Sequence, residues 1–151
     1  MKRKGQIILG VFATIFVAII LFFVSCPIVN DISAEDLVKN IESIPLPENT
    51  QVVEKLSRAG KLVGNGNGMQ FFGVVLLESK LPLEELEEYY SSYRKTQWDY
   101  IVEIQKTPYI DIIENGSLSF KTDMSNEKRY YIVYSWGNGI SPFRDFDLRG
   151  N

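Results

Sequence analysis

The chain has no histidine in its 151 residues. That absence removes the commonest general base and the commonest metal ligand together. There is one cysteine, Cys26, so no disulfide can form within the chain and the fold must rely on an apolar core. No acid precedes Asp31, and the only charges ahead of it are Lys2, Arg3 and Lys4. No repeat period is visible. The domain after Pro27 carries 13 Lys and Arg against 19 Asp and Glu, a net charge of −6. An acidic domain has no electrostatic reason to seek nucleic acid and is weakly repelled by an anionic lipid surface.

What is present is a long apolar run, Ile7 to Val24, with Thr14 its only polar residue. It is apolar on every face, unlike an amphipathic helix built to cover a soluble core. As a helix it spans roughly 27 Å, close to the ~30 Å hydrocarbon core of a bilayer. The lipid bilayer is therefore the first expected partner. The positive-inside rule keeps the N-terminus in the cytoplasm and exports everything after Pro27. Gly10 with Ala13 or Thr14 places small residues one turn apart, a packing signal for a neighbouring span in a membrane complex.

Three readings of the first residues compete. One is an uncleaved signal-anchor helix. The second is a lipoprotein signal, since Phe23-Val24-Ser25-Cys26 resembles a lipobox with Phe in place of Leu; Cys26 would then be the lipidation site. The third is an ordinary cleaved signal. The run exceeds the roughly 7–15 residues of a signal h-region, and no A-x-A-like site follows it. Pro27 directly after Cys26 also sits poorly with a lipobox. The anchor reading, over residues 7–29 with residues 1–6 cytoplasmic, is preferred.

The whole chain is 45% hydrophobic and 13% aromatic, which argues against disorder. Residues 30–48 read as a short helix and an extended linker, residues 49–140 as an α+β domain and residues 141–151 as a turn-like tail. Ser33 is a candidate N-cap, with Glu35 and Asp36 in the first turn. Ala34, Leu37, Val38, Ile41 and Ile44 form one apolar face. Each residue before Pro45 and Pro47 is pushed out of the helical region, so this stretch is extended.

Gln51 to Arg58 alternates loosely and Phe71 to Leu77 is apolar on both faces, the mark of a central strand. Gly64 to Gly68 between them lacks the helix and the Lys-Ser/Thr end of a phosphate loop, and reads as a hairpin turn. Gly73 predicts a bulge or a close helix approach. Pro82 opens a helix to Lys95, with Leu83, Leu86, Tyr89, Tyr90 and Tyr93 on one face. Glu84, Glu85, Glu87 and Glu88 splay around its exposed side and make no enclosed carboxylate pair. Trp98 to Gln105 alternates as a strand. Tyr109–Ile113 and Leu118–Lys121 predict a hairpin about Asn115-Gly116. Asn115-Gly116-Ser117 is also a glycosylation sequon, which a tight turn explains. Asp123 to Glu127 is a second turn and Arg129 to Trp136 the last strand. Asp145, Asp147 and Asn151 lack the Gly and bidentate Glu of an EF-hand loop.

The expected architecture is an α+β domain: a transmembrane helix, a short amphipathic helix, then a twisted antiparallel sheet with one main helix on one face. The layout Pro45-Leu46-Pro47, Val52-Val53, Gly68-Met69-Gln70-Phe71-Phe72 and Leu83-Glu84-Glu85-Leu86-Glu87-Glu88-Tyr89-Tyr90 resembles small bacterial cell-envelope proteins of unknown function. Those proteins pair one N-terminal anchor or lipobox with a compact domain. The resemblance implies an envelope location and brings no catalytic residue.

No catalytic, cofactor-binding or metal-binding constellation is visible. Ser79-Lys80 lacks the S-x-x-K spacing of a Ser-Lys hydrolase. The expectation is a non-enzymatic interaction or accessory module, needing no cofactor. A ligand- or glycan-binding lipoprotein and a structural subunit of a membrane complex are the alternatives. Trp98, Tyr100, Tyr130, Tyr134 and Trp136 are the candidate interaction surface for a protein or glycan partner, because aromatics offer large contact area with polar tips. The same residues also read as core of a Tyr-rich sheet.

Overall fold

The computed structural model describes residues 2–94, 99–124, 128–137 and 141–150. One helix, α1 (Lys2–Glu42), leads into β1 (Thr50–Gly60), β2 (Gln70–Ser79), α2 (Leu83–Ser91), β3 (Ile101–Gln105) and β4 (Tyr130–Gly137). Two short 3₁₀ turns, Arg144–Phe146 and Leu148–Gly150, follow. The strands form one antiparallel sheet in the order β1-β2-β4-β3. The class is α+β, and the two inner strands are the apolar runs that both faces of a covered sheet require.

The helix α1 runs farther than its local signals predict. Ser33 does not begin a new helix after a break. It lies within the 41 continuous residues of α1, its hydroxyl donating to the Val29 carbonyl one turn back at 2.9 Å. Pro27 is inside the helix and costs a backbone hydrogen bond. No Gly or Pro follows it until Pro45, so nothing else interrupts propagation. The buried positions Cys26, Asn30, Ala34, Leu37, Val38 and Ile41 run as one stripe across the expected boundary at residue 30. The N-terminal part of α1 is long and apolar enough to cross a membrane and is wholly unburied. Its one hydroxyl, Thr14, is satisfied by the Gly10 carbonyl at 3.0 Å, so the run presents no unpaired side-chain donor.

The sheet is covered on both sides. On one face Val38 and Ile41 of α1, Ile44 just after it, and Leu86 and Tyr90 of α2 pack on Val75, Leu77, Val102, Tyr131 and Val133. Burial pushes the Tyr90 phenol up to about 12. On the other face, Phe72, Val74, Leu76 and Ile132 are covered by Ile110, Ile113 and Phe120 from the β3–β4 connection. This connection is not the expected two-stranded hairpin. Tyr109 and Ser119 make a single bridge. The segment buries side chains against the sheet instead of continuing a ladder, and Gly116 takes the positive φ of 86° at its tip.

Two polar contacts hold that cover. The β1 register shifts between Val52 and Glu54, and the Glu54 carboxylate accepts from the Lys121 N–H at 2.9 Å and the Thr122 N–H at 3.0 Å. Burial opposes its charge, but these donors and the Thr122 hydroxyl together hold its pKa below the usual range. At the other end, Glu114 accepts from the Gly64 N–H at 2.7 Å, and the Glu114 and Asn115 N–H groups both donate to the Leu62 carbonyl at 2.9 Å. The glycine-rich turn and the Asn115-Gly116 turn thus dock on each other. Gln70 orders the same turn by accepting from the Leu62 and Val63 N–H groups, each at 2.8 Å.

Gly73 resolves to a close helix approach. A Cβ there would lie 2.5 Å from the Leu37 Cβ and 2.9 Å from the Val38 nitrogen. Gly73→Ala is expected to cost about 1–3 kcal/mol, because neither the helix backbone nor the central strand can move far. Gly66→Ala, where nothing lies within 4 Å, is the control and should be close to neutral. Denaturant unfolding of the detergent-solubilised full chain measures both. Equal midpoints for the two variants would remove the close-approach account.

Candidate functional site

The aromatic set does not form one surface. Trp98 lies outside the described residues. Tyr100 is buried on the helix-covered face beside Val102 and Tyr131. Tyr130 and Tyr134 are buried on the opposite face, with Trp136 half-buried beside them. Phe72 stacks against Tyr134 and Trp136 at ring distances of 5.6 and 4.8 Å. The Tyr134 hydroxyl donates to Glu103 at 2.7 Å, and burial with this carboxylate raises its pKa. The described aromatics therefore serve the core, and strand alternation is what divides them between faces. The four α2 glutamates are exposed around its outer side, and the Arg94 guanidinium pairs with Asp99 at 2.8 Å. Lys95 lies outside the described residues.

Chain direction gives the domain two ends. α1 carries the chain away from its apolar run. Ala34 and Leu37 meet Phe71 nearer that run, and Ile41 and Ile44 meet Leu77 farther from it. The β1 start, the β2 end and the β4 start thus lie at the far end.

An open cleft of about 690 Å³ lies there, lined by Asn49, Glu78, Ser79, Lys80, Lys128 and Arg129 among others. Asn49 turns the chain into β1 with a φ of 56°, and its carbonyl accepts from the Lys80 N–H at 3.1 Å. Lys128 pairs with Glu78 at 2.9 Å and Gln51 donates to the same carboxylate at 3.1 Å, which lowers the Glu78 pKa. Three cations gather around one acid on an otherwise acidic domain. The Ser79 hydroxyl is buried and committed to Thr50 at 2.6 Å and the Leu81 N–H at 3.1 Å. It belongs to the fold of the cleft wall.

At the near end, a polar cluster ties the C-terminal segment to α1. Arg149 donates to Asp31 at 2.8 Å, to Asp147 at 2.8 Å and to the Pro27 carbonyl at 3.0 Å. Asn30, fully buried, donates to Asp147 at 2.8 Å. Burial alone would raise the Asp147 pKa. The Arg149 guanidinium, the Asn30 amide and the Arg149 N–H outweigh it and pull the pKa down to about 2. Beside this cluster, Phe22 of the apolar run meets Phe143 and Phe146 edge-on at ring distances of 5.6 and 5.3 Å. Cys26 is buried here and donates from Sγ to the Phe22 carbonyl at 3.2 Å. The tail read as turn-like is thus an integral part of the domain. Asp147, weighed above as a Ca²⁺ ligand, is engaged by Arg149 and Asn30; Asn151 lies outside the described residues.

Sequence reasoning missed this cluster. Its linear signals are an Asn-Asp pair shortly after the apolar run and the Asp147-x-Arg149 spacing, and neither points to the other across more than a hundred residues. No protein family, curated protein or solved structure matches the chain.

The Asp147 carboxyl is charged in the fold well below the pH at which an unfolded aspartate protonates, near 3.9. Its stabilisation is complete above that unfolded pKa and is lost as pH falls toward 2. Asp147→Asn is expected to cost about 2 kcal/mol at neutral pH. The gap between wild type and variant should narrow from about pH 4 downward. Urea unfolding at stepped pH reads both; a gap that does not change with pH would exclude the buried carboxylate as its source.

Proposed function

We propose that this protein is a single-pass, membrane-anchored module that holds its folded domain on the extracytoplasmic side and acts by binding a partner. The observation that carries this reading is α1. Its first part is bare and apolar, and its second part is core of the domain. The same helix thus serves as anchor and as structural element, with no flexible linker between them. Lys2, Arg3 and Lys4 support the N-in orientation. The burial of Cys26 supports an uncleaved helix, because cleavage before it would remove Phe22 and its contacts with the C-terminal segment.

The contact surface is the cationic cleft at the far end, with Lys80, Lys128 and Arg129. Tyr100, Tyr130 and Tyr134 are buried and are not available for such a role. The fitting partner carries an acidic segment, because the domain as a whole is net −6 and repels one away from this cluster of cations. Binding of this kind is expected to weaken as salt rises.

Two measurements test this. Intact cells treated with a membrane-impermeant amine reagent should show Lys80 and Lys128 modified and Lys2 and Lys4 protected; the reverse pattern would overturn the orientation. A photo-crosslinking residue at position 80 of the full chain in cells should capture one recurrent protein. Adding Lys128→Glu should abolish that adduct. An adduct indifferent to Lys128→Glu would reject the cleft as the binding surface.

A further inference from the structure

The C-terminal segment Ser141–Gly150 presents an apolar surface that the interaction reading does not use. Phe146 is 51% exposed and Leu148 75% exposed, the latter more than any other large apolar residue among the described residues of the exported domain. Exposed apolar side chains scattered singly need no explanation, but these two are not placed at random. Phe146 and Phe143 touch Phe22, which belongs to the apolar run Ile7 to Val24. Helical side chains lean toward the N-terminus, so the Phe22 ring lies at or below the level of its own Cα along the run. If the run crosses the hydrocarbon core, rings in contact with Phe22 lie at its outer boundary.

Charge agrees with this placement. The domain carries net −6, but Ser141–Gly150 holds Arg144 and Arg149 against Asp145 and Asp147 and is neutral. Arg149 is neutralised by Asp31 and Asp147, and Arg144 pairs with Asp145 at 3.2 Å. The segment nearest the bilayer is therefore the one that an anionic surface does not repel. The cluster around Asp147 also fixes its height. Arg149 bonds the Pro27 carbonyl and Asn30 bonds Asp147, so the 3₁₀ turns cannot swing away from the helix where it leaves the apolar run.

We propose that Ser141–Gly150 is a bilayer-seating surface: Phe146 and Leu148 enter the boundary between acyl chains and headgroups of the membrane that α1 crosses. The domain rests on lipid through this segment and does not stand clear on a stalk. The proposal depends on the reading of α1 as a membrane span.

The test uses the full chain in nanodiscs of mixed phosphatidylcholine and phosphatidylglycerol. A photo-reactive benzoyl-phenylalanine is placed at one of three positions: Leu148, Val17 within the apolar run, or Leu46 at the far end of the domain. Mass spectrometry then reads the adduct. Position 148 should give a lipid adduct in yield comparable to position 17, and position 46 none. Leu148 is 75% exposed, so its replacement leaves the fold in place, which the unfolding midpoint verifies. A lipid adduct at 17 without one at 148 overturns the seating surface and leaves the span standing. A protein adduct at 148, from a second copy or a neighbour, overturns it in favour of that partner. No lipid adduct at 17 removes the span, and the seating surface with it.

Discussion

The close approach of α1 to β2 at Gly73 is the contact on which the rest of the structure depends. A Cβ at residue 73 would overlap the Leu37 Cβ, so only glycine lets the helix sink to this depth over the central strand. At that depth Leu37 joins Ala34, Ala59, Met69 and Phe71, and Val38 and Ile41 reach Val75 and Leu77. Because the same helix begins as the apolar run, this contact also fixes the angle and distance between run and sheet. A domain joined through a flexible linker would have neither.

The two ends of the domain differ in chemistry because, among the described residues, it is the C-terminal segment that returns to the apolar run. The far end is where β1 starts, β2 ends and β4 starts, and its charged groups sit at strand ends beyond the sheet's apolar rows. The near end holds a buried aspartate, which is tolerated because three donors face it. Such a group is costly to strip of one partner, so the cluster enforces a single docking of the tail. Apolar contacts among Phe22, Phe143 and Phe146 alone would permit sliding; the directional bonds do not.

Much of the fold was legible in local pattern. Phe71 to Leu77 read as central because it is apolar on both faces, and it lies between β1 and β4. Ala34, Leu37, Val38, Ile41 and Ile44 read as one face, and all five are buried. Pro82 read as the start of a helix, and it directly precedes α2. The misreadings share a cause. Ser33 carries a capping signal that means a helix start only where no helix exists already. Tyr109 to Lys121 has strand composition and an Asn-Gly turn, yet its side chains find more burial lying across the sheet than its backbone gains from pairing. Tyr100 and Tyr134 were grouped by residue type, and strand parity put them on opposite sides.

The sequence by itself determined what periodicity and local sterics decide: an apolar helix, the amphipathic face Ala34 to Ile44, an antiparallel sheet with Phe71 to Leu77 at its centre, and the turn at Gly64 to Gly68. These follow from the 3.6-residue and 2-residue repeats and from the allowed angles of proline and glycine. Only the tertiary structure decided that the apolar run and the domain share one helix, that the glycine-rich turn is held by Glu114, and that Asp147 and Arg149 lock onto Asn30, Asp31 and the Pro27 carbonyl. Each of these joins residues far apart in the chain, or weighs one proline's cost against burial elsewhere. Pairings of that kind leave no period in the sequence, because the geometry that selects them exists only once the sheet has formed.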